Sequence, residues 1–377
     1  MGYHFDGGLA VPRRNHLLQG SVFLLTGLGL VTLYSASYAY ARRFFDNGLY
    51  FTVRQGLMAV AGLALFALAS KAPLDWLRRA VGPLVIGTMF LCALTFVPGV
   101  GMLKNGAARW IRIGSWSYQP SELVKLCLPI YLAHIFAKKE DDEHSFVHTV
   151  LPPVLITALF FVLIYLQNNF STAIFIALNA LVIFFFAGVK PSFFISAIAM
   201  LLPLSSLLIL TREHRLTRLM SFIWPDWEPQ RAGYQVHSSI LSISSGGFWG
   251  RGLGQGTRKI ASVPEIQSDF IFSSYAEEAG FFGVLLFMLL FGLFAFQGYR
   301  SSLKQEDSFA RLLGLGLVTM ITSQALLNVA VTAGALPATG IPLPFFSAGG
   351  SSLATTLLAA GLVVNATGPH GSERGGV

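Results

Sequence analysis

The chain has 377 residues, 54% of them apolar and only 12% charged, with a mean hydropathy of +0.62 and a net charge of +8. A soluble domain carries roughly 25% charged residues, so a water-soluble globule is excluded and a bilayer is the natural solvent. A spanning helix needs about 20 apolar residues, so about ten spans would use roughly 200 residues and leave the rest for loops. The expected architecture is all-α: one polytopic membrane domain over residues 1–377 with about ten transmembrane helices.

Arg13-Arg14-Asn15-His16 before an apolar run resembles the start of a signal peptide, but Leu17 to Tyr38 is too long for an h-region, and an uncleaved first helix is expected. Apolar windows predict spans at 17–38, 54–70, 80–97, 121–137, 149–166, 169–187, 192–210, 270–297, 309–332 and 350–366. Cys92 and Cys127 fall inside these windows, where a thiol behaves as a small hydrophobe. An even number of spans puts both ends on one side. Setting aside the seven basic residues of the long segment 211–269, the side holding the ends has twelve basic residues against seven. The ends are therefore expected to be cytoplasmic, with 367–377 a short tail and 211–269 a long extracytoplasmic loop between helices 7 and 8. No internal repeat of useful length is visible, so the symmetric halves of many secondary transporters are not evident.

In the first outer loop, Asn105 to Gly114 contains Arg109 and Arg112, and Gln119-Pro120-Ser121-Glu122 opens the fourth helix. Pro120 and Ser121 suit a helix start, and Glu122 with Lys125 has the i,i+3 spacing of an ion pair. That pair either neutralises itself or leaves Lys125 to bind an anionic headgroup. A loop of nearly sixty residues is long enough to be functional. Its glycine run, Ser245 to Lys259, contains Arg251, Arg258 and Lys259. Two interpretations stand: a backbone cradle for phosphate or pyrophosphate, or a flexible loop touching lipid headgroups. Lacking Gly-Lys-Ser/Thr at its end, the run is not a nucleotide-binding Walker sequence.

Asp269 stands where this loop meets the eighth helix, either as an N-cap or as a general base whose pKa is raised by partial desolvation. Glu277 and Glu278 follow inside an apolar helix, where acids are costly unless paired. On a continuous helix Asp269 and Glu277 share nearly one face about 12 Å apart and Glu278 points away. At least one glutamate is expected to pair with a basic or hydroxyl group of a neighbouring helix. Leu336 to Ser352 breaks helical order between two spans, as the wall of a buried wet cavity would.

Together these segments resemble the SEDS family, which includes FtsW and RodA. The resemblance rests on Tyr34-Ser35-Ala36-Ser37, Arg54-Gln55, Gly106 to Lys125 with Gln-Pro-Ser-Glu, Gly233-Tyr234-Gln235, Ser268-Asp269-Phe270-Ile271-Phe272 with Glu277-Glu278-Ala279-Gly280, and Pro342 to Ser352. The first two favour the FtsW-like division branch, whereas Thr339 to Phe345 is nearer the RodA-like one.

The resemblance implies a ten-helix peptidoglycan glycosyltransferase of the bacterial inner membrane that polymerises lipid II, using a growing strand on undecaprenyl pyrophosphate as donor. It makes Asp269 the catalytic base or a cation-coordinating group, a possible metal ligand. Arg109, Glu122 and Lys125 join it around the cavity, and Arg251, Arg258, Lys259 and Ser351 are further candidates for substrate binding. Glu277 and Glu278 are supporting residues. The chemistry implies a divalent cation, magnesium or manganese, although no metal-ligand cluster is visible in the sequence. Expected partners are lipid II, membrane lipids and a class B penicillin-binding protein transpeptidase, with no nucleic acid. This chain has Asn168-Asn169 where the family usually has an Asp, Ser268 for a frequent Thr, and Ala348 for a usual aromatic. The rival functions are a lipid II flippase or transporter, which needs no base, and a scaffold that activates the transpeptidase.

Overall fold

The computed structural model describes residues 15–104, 106–114, 116–138, 149–224, 232–256 and 267–368. Ten long helices follow the predicted spans. They are α1 (His16–Phe45), α2 (Tyr50–Ala69), α3 (Leu74–Leu94), α4 (Pro120–Lys138), α5 (Leu151–Leu166), α6 (Phe170–Phe186) and α7 (Pro191–Leu210), then α10 (Ile271–Leu303), α11 (Ser308–Thr332) and α12 (Gly350–Ala366). Six of them are long and apolar enough to cross a membrane, and α5, α6 and α12 are shorter apolar helices. The predicted long loop is partly helical, containing α8 (Glu213–Ile223) and α9 (Ala232–Ser245).

A three-stranded antiparallel sheet, not expected from the sequence, occupies the first outer loop: β1 (Gly101–Lys104), β2 (Ala107–Ile113) and β3 (Trp116–Tyr118), in that order. Gly106 turns the first hairpin at φ +73°, a conformation that costs glycine nothing. The sheet packs inward through β3, with Tyr118 close to Thr355 of α12.

Burial separates the helices sharply. The apolar stretch of α11 is 78% buried, whereas that of α7 is 6% buried and the helix contains no buried residue. Between α7 and the α5–α6 pair lies an apolar groove of about 1050 Å³, lined by Val154, Phe161, Tyr165, Phe184, Phe193 and Leu208 among others. Polar ties fix the inner helices. Asn15 caps α1, accepting from Leu18, and its amide donates to Gln297 and Ser301 of α10. Asp307 caps α11 and ion-pairs Arg78 of α3.

One expectation about α10 is corrected. Gly280 sits at φ 62°, ψ −164° and splits the element into a short leading helix and a long span. Asp269 lies before Ile271 in a turn, so it does not share a continuous helical face with Glu277.

Candidate active site at the start of α10

The break at Gly280 exposes main-chain groups that a membrane protein must satisfy internally. The glycine run does this. Phe281 N donates to Gly247 O at 2.9 Å and Phe282 N to Phe248 O at 3.3 Å, while Arg251 N and Gly252 N donate to Glu277 O and Glu278 O at 3.0 and 3.1 Å. Such backbone-to-backbone approach requires glycine. A Cβ at Gly246 would stand 2.3 Å from Ala276 O, and one at Gly250 2.0 Å from Glu278 O. The described part of the run, 245–256, is therefore a hook that closes the helix break, which favours neither a phosphate cradle nor a flexible loop.

One glutamate is paired with a hydroxyl of a neighbouring helix, as anticipated, and the other faces an arginine of the hook. Ser35 Oγ of α1 donates to Glu278 Oε1 at 2.8 Å and accepts from Gly254 N at 3.0 Å, binding helix, hook and carboxylate together. Glu277 is fully buried, 4.0 Å from Arg251 Nη1, and Arg251 Nε donates to Ser245 O. Arg251, a candidate for substrate binding, thus faces a protein carboxylate. Arg258 and Lys259 lie outside the described residues.

Asp269 stands in the turn ahead of α10, and the cap position of the helix is taken by Phe270. The turn is held from both sides. Asn328 Nδ2 of α11 donates to Asp269 O and to Ile341 O, both at 2.9 Å, and Ala348 N donates to Gln267 O at 2.8 Å. The irregular segment 333–349 thus wraps the carboxylate. Gly340 stands against it, because a Cβ there would meet Asp269 Oδ2 at 3.4 Å. Gln55 of α2 clamps the far end of this segment, donating to Ser347 O at 2.9 Å and accepting from Gly349 N at 3.1 Å. Phe345 has φ +67° and is buried; this is left-handed backbone costing roughly 1–2 kcal/mol for a side-chain-bearing residue, maintained by packing on Phe291 and Phe294.

Glu122 and Lys125 form a buried ion pair at 2.8 Å, and Lys125 Nζ also donates to Gln324 Oε1 of α11 at 2.8 Å. Gln324 Nε2 in turn donates to Pro342 O at 2.8 Å. The pair therefore braces the segment that wraps Asp269. Burial and then the Glu122 carboxylate push the Tyr118 phenol up to about 12. Ser351 is buried in the first turn of α12, just past the Gln55 clamp.

Arg109, on β2, donates through Nη2 to Asn168 O, and its Nε is buried with no hydrogen-bond partner. Asn168 has φ +58° and donates to Gly106 O at 2.9 Å, so the amide present where the family usually has an acid does a job that a carboxylate cannot. Sequence reasoning missed Arg218, on α8, which donates to Ala338 O at 3.2 Å. Burial pulls the pKa of both arginines below the ordinary value, and Asp269 opposes that shift in each. Arg215, one helical turn before Arg218, stacks on Tyr165 and Phe170 with 4.8 and 4.7 Å to the ring centroids. Since Tyr165 also lines the apolar groove, Arg215 touches that groove while Arg218, on the same helix, reaches the segment beside Asp269.

Fold and site together define a multi-pass helical membrane protein with a carboxylate just ahead of a broken helix, an arginine bonded to the segment around it and an apolar groove that Arg215 touches. A family model described as cell cycle protein, covering FtsW, RodA and SpoVE, matches residues 15–370, and the chain belongs to that family. It is 36% identical over 341 residues to a probable peptidoglycan glycosyltransferase FtsW of Geobacter sulfurreducens, covering 90% of this chain and 91% of that one. It is likewise 36% identical over 345 residues to stage V sporulation protein E of Bacillus subtilis, covering 91% and 94%. Among solved structures, one chain of a peptidoglycan synthase complex superposes with a TM-score of 0.77 at 27% identity, covering 94% of this chain and 98% of that one. The rod shape determining protein RodA of Thermus thermophilus gives 0.67 at 28%, covering 93% and 95%.

Proposed function

We propose that the chain is a peptidoglycan glycosyltransferase that polymerises lipid II in division or elongation, with Asp269 as general base. The observation that carries this is the carboxylate itself, fixed through its own carbonyl by Asn328 and set against Gly340. In the reaction Asp269 accepts the proton of a lipid II sugar hydroxyl. The freed oxygen attacks the anomeric carbon of the donor strand, and the bond from that carbon to undecaprenyl pyrophosphate breaks. A positioned base contributes about 10²–10⁴-fold to such a step. The apolar groove suits a polyprenyl tail, and the arginines of α8, one stacked on a groove residue and one bonded to Ala338 O, suit the diphosphate.

A magnesium or manganese ion is compatible with this site in one form. No group of three metal-ligating side chains exists among the described residues. An ion would therefore take Asp269 as its one protein carboxylate and complete its shell with substrate oxygens, as phosphoryl-binding magnesium does. Bound there, it would neutralise charge on the diphosphate.

We infer further that the chain resides in the bacterial inner membrane with both ends cytoplasmic and Asp269 on the outer side, as the basic-residue count favours. A class B penicillin-binding protein is its inferred partner, a pairing suggested by the similar chain found in a synthase complex. The same groove and cations would serve a lipid II transporter, which needs no base. Lipid II supplied to the purified chain with its transpeptidase separates the two: glycan is expected from wild type and none from Asp269→Asn. Glycan from both would remove the base, and lipid translocation without glycan from either would favour the transporter.

A further inference from the structure

We propose that the end of the apolar groove remote from Asp269 is a binding site for an anionic phospholipid, its phosphate held by Lys190 and Arg311 and its tails lying in the groove. This goes beyond the catalytic reading, since it uses neither Asp269 nor a sugar acceptor.

The groove runs nearly the depth of a bilayer. Ser192 and Leu208, both on α7 and both lining it, are sixteen residues apart, about 24 Å of helical rise against a hydrocarbon thickness of about 30 Å. Its two ends differ. Beyond Leu208 comes α8, with Arg215 stacked on Tyr165 and Arg218 bonded to the segment beside Asp269. At the other end, the turn into α7 and the first turn of α11 bring Lys190, Ser192, Ser308 and Arg311 to the lining. Among the described residues, Lys190 and Arg311 are the only charges that line the groove, and both are positive. Arg311 Nη2 donates to Ser308 Oγ at 2.9 Å, which fixes the guanidinium beside the start of α11. Asp307, the acid that caps α11, is taken by Arg78 of α3 and by Phe309 N. Neither Asp307 nor the exposed Glu306 lines the groove.

Two further features select a lipid over a soluble anion. No residue of α7 is buried, so the groove beside it opens to acyl chains, and an apolar channel of about 1050 Å³ in that position takes up hydrocarbon. The start of α7, where Pro191 holds the first helical position, also directs the positive end of the helix dipole toward the mouth that carries Lys190. A phosphate there meets two basic side chains and a helix end, whereas a zwitterionic head group brings its own cation and gains less. The bound lipid supplies the packing that α7 lacks on its protein side.

The test uses the full chain in detergent micelles with equal amounts of phosphatidylglycerol and phosphatidylcholine carrying the same acyl chains, and counts the lipids retained by native mass spectrometry. Wild type is expected to retain phosphatidylglycerol in preference. Lys190→Gln and Arg311→Gln should each weaken that retention roughly fivefold, the scale of one basic side chain beside an anionic lipid. Lys190 is exposed, so its replacement should leave the fold intact, and Lys190→Arg should keep the lipid. Lys304→Gln, which removes an exposed cation at the same side outside the groove, should change nothing. Ala197→Phe, which fills the groove from α7 without altering a charge, should lower retention several-fold, with thermal unfolding as the control for folding. Equal retention of the two lipids by wild type would overturn the proposal, as would a loss in Lys304→Gln as large as in Lys190→Gln, which would reduce the effect to general surface charge. Unchanged retention in Ala197→Phe would place the tails outside the groove and overturn it as well. None of these readouts needs lipid II or glycan formation, so they are independent of the catalytic assignment.

Discussion

Two stretches of irregular backbone flank the start of α10, and they do different work. The glycine hook, 245–254, is bonded main chain to main chain across the break at Gly280. The segment 333–349 is held mostly by side chains reaching in from elsewhere, Gln55, Gln324 and Asn328, and it presents little but backbone to Asp269. Glycine-rich composition reads alike in both. In the hook, glycine admits another strand of the same protein; at Gly340, it keeps space open beside a carboxylate. The comparison teaches that a glycine run near a reactive group is not by itself a ligand cradle, and that the partner of each backbone N–H decides.

Breaking the hook should have the largest effect on folding. Gly250→Ala forces a Cβ to 2.0 Å from Glu278 O at φ +75°, against backbone atoms that cannot swing aside. A loss of about 3 kcal/mol or more is expected, in the range reserved for severe backbone or core disruption, and thermal unfolding in detergent should reveal it as a sharply lowered midpoint. Gly340→Ala sharpens the contrast. It also has positive φ, +70°, but its Cβ would have only Asp269 Oδ2 nearby, at 3.4 Å. The fold should lose about 1–2 kcal/mol, whereas glycan formation should fall by roughly ten- to a hundredfold through displacement of the carboxylate. A Gly340→Ala protein that polymerises at the wild-type rate would show that the segment does not position Asp269.

The smallest effect concerns the sheet behind the site. Tyr118→Phe removes a buried phenol next to Thr355 and should change stability at neutral pH by no more than about 1 kcal/mol. It should also alter the alkaline limb of stability. The Tyr118 phenol is pushed up to about 12 in the folded chain from an ordinary value near 10. Its stabilising contribution is complete below about pH 10 and is lost as the pH rises toward 12. Unfolding midpoints measured across that window should fall less steeply in the variant.

Much of this was legible in the sequence, and the failures have physical causes. The ten spans followed from hydropathy because a bilayer imposes length and composition on each helix separately. The pairing of Glu278 with a hydroxyl on another helix was foreseeable from the cost of a buried acid, although Ser35 as its partner was not. The outer sheet left a signal in Asn105-Gly106, a dipeptide favoured in tight hairpins, followed by the alternation of Arg109, Ile111 and Ile113 with Trp110 and Arg112. The hook was not legible, since its partners lie some thirty residues onward in α10 and only the bend at Gly280 brings them together. Arg218 was one loop charge among seven, and nothing local distinguishes it until α8 folds back toward Ala338. The ion pair of Glu122 and Lys125 was visible in its spacing, but its service to Gln324 and Pro342 was not.

The most direct measurement is to follow lipid II binding and glycan formation in one preparation of Asp269→Asn, alongside wild type and with thermal unfolding as the control for folding. The account predicts a folded variant that retains lipid II binding and loses glycan formation by at least about a hundredfold. Glycan formation at the wild-type rate would contradict the assignment of Asp269 as the base.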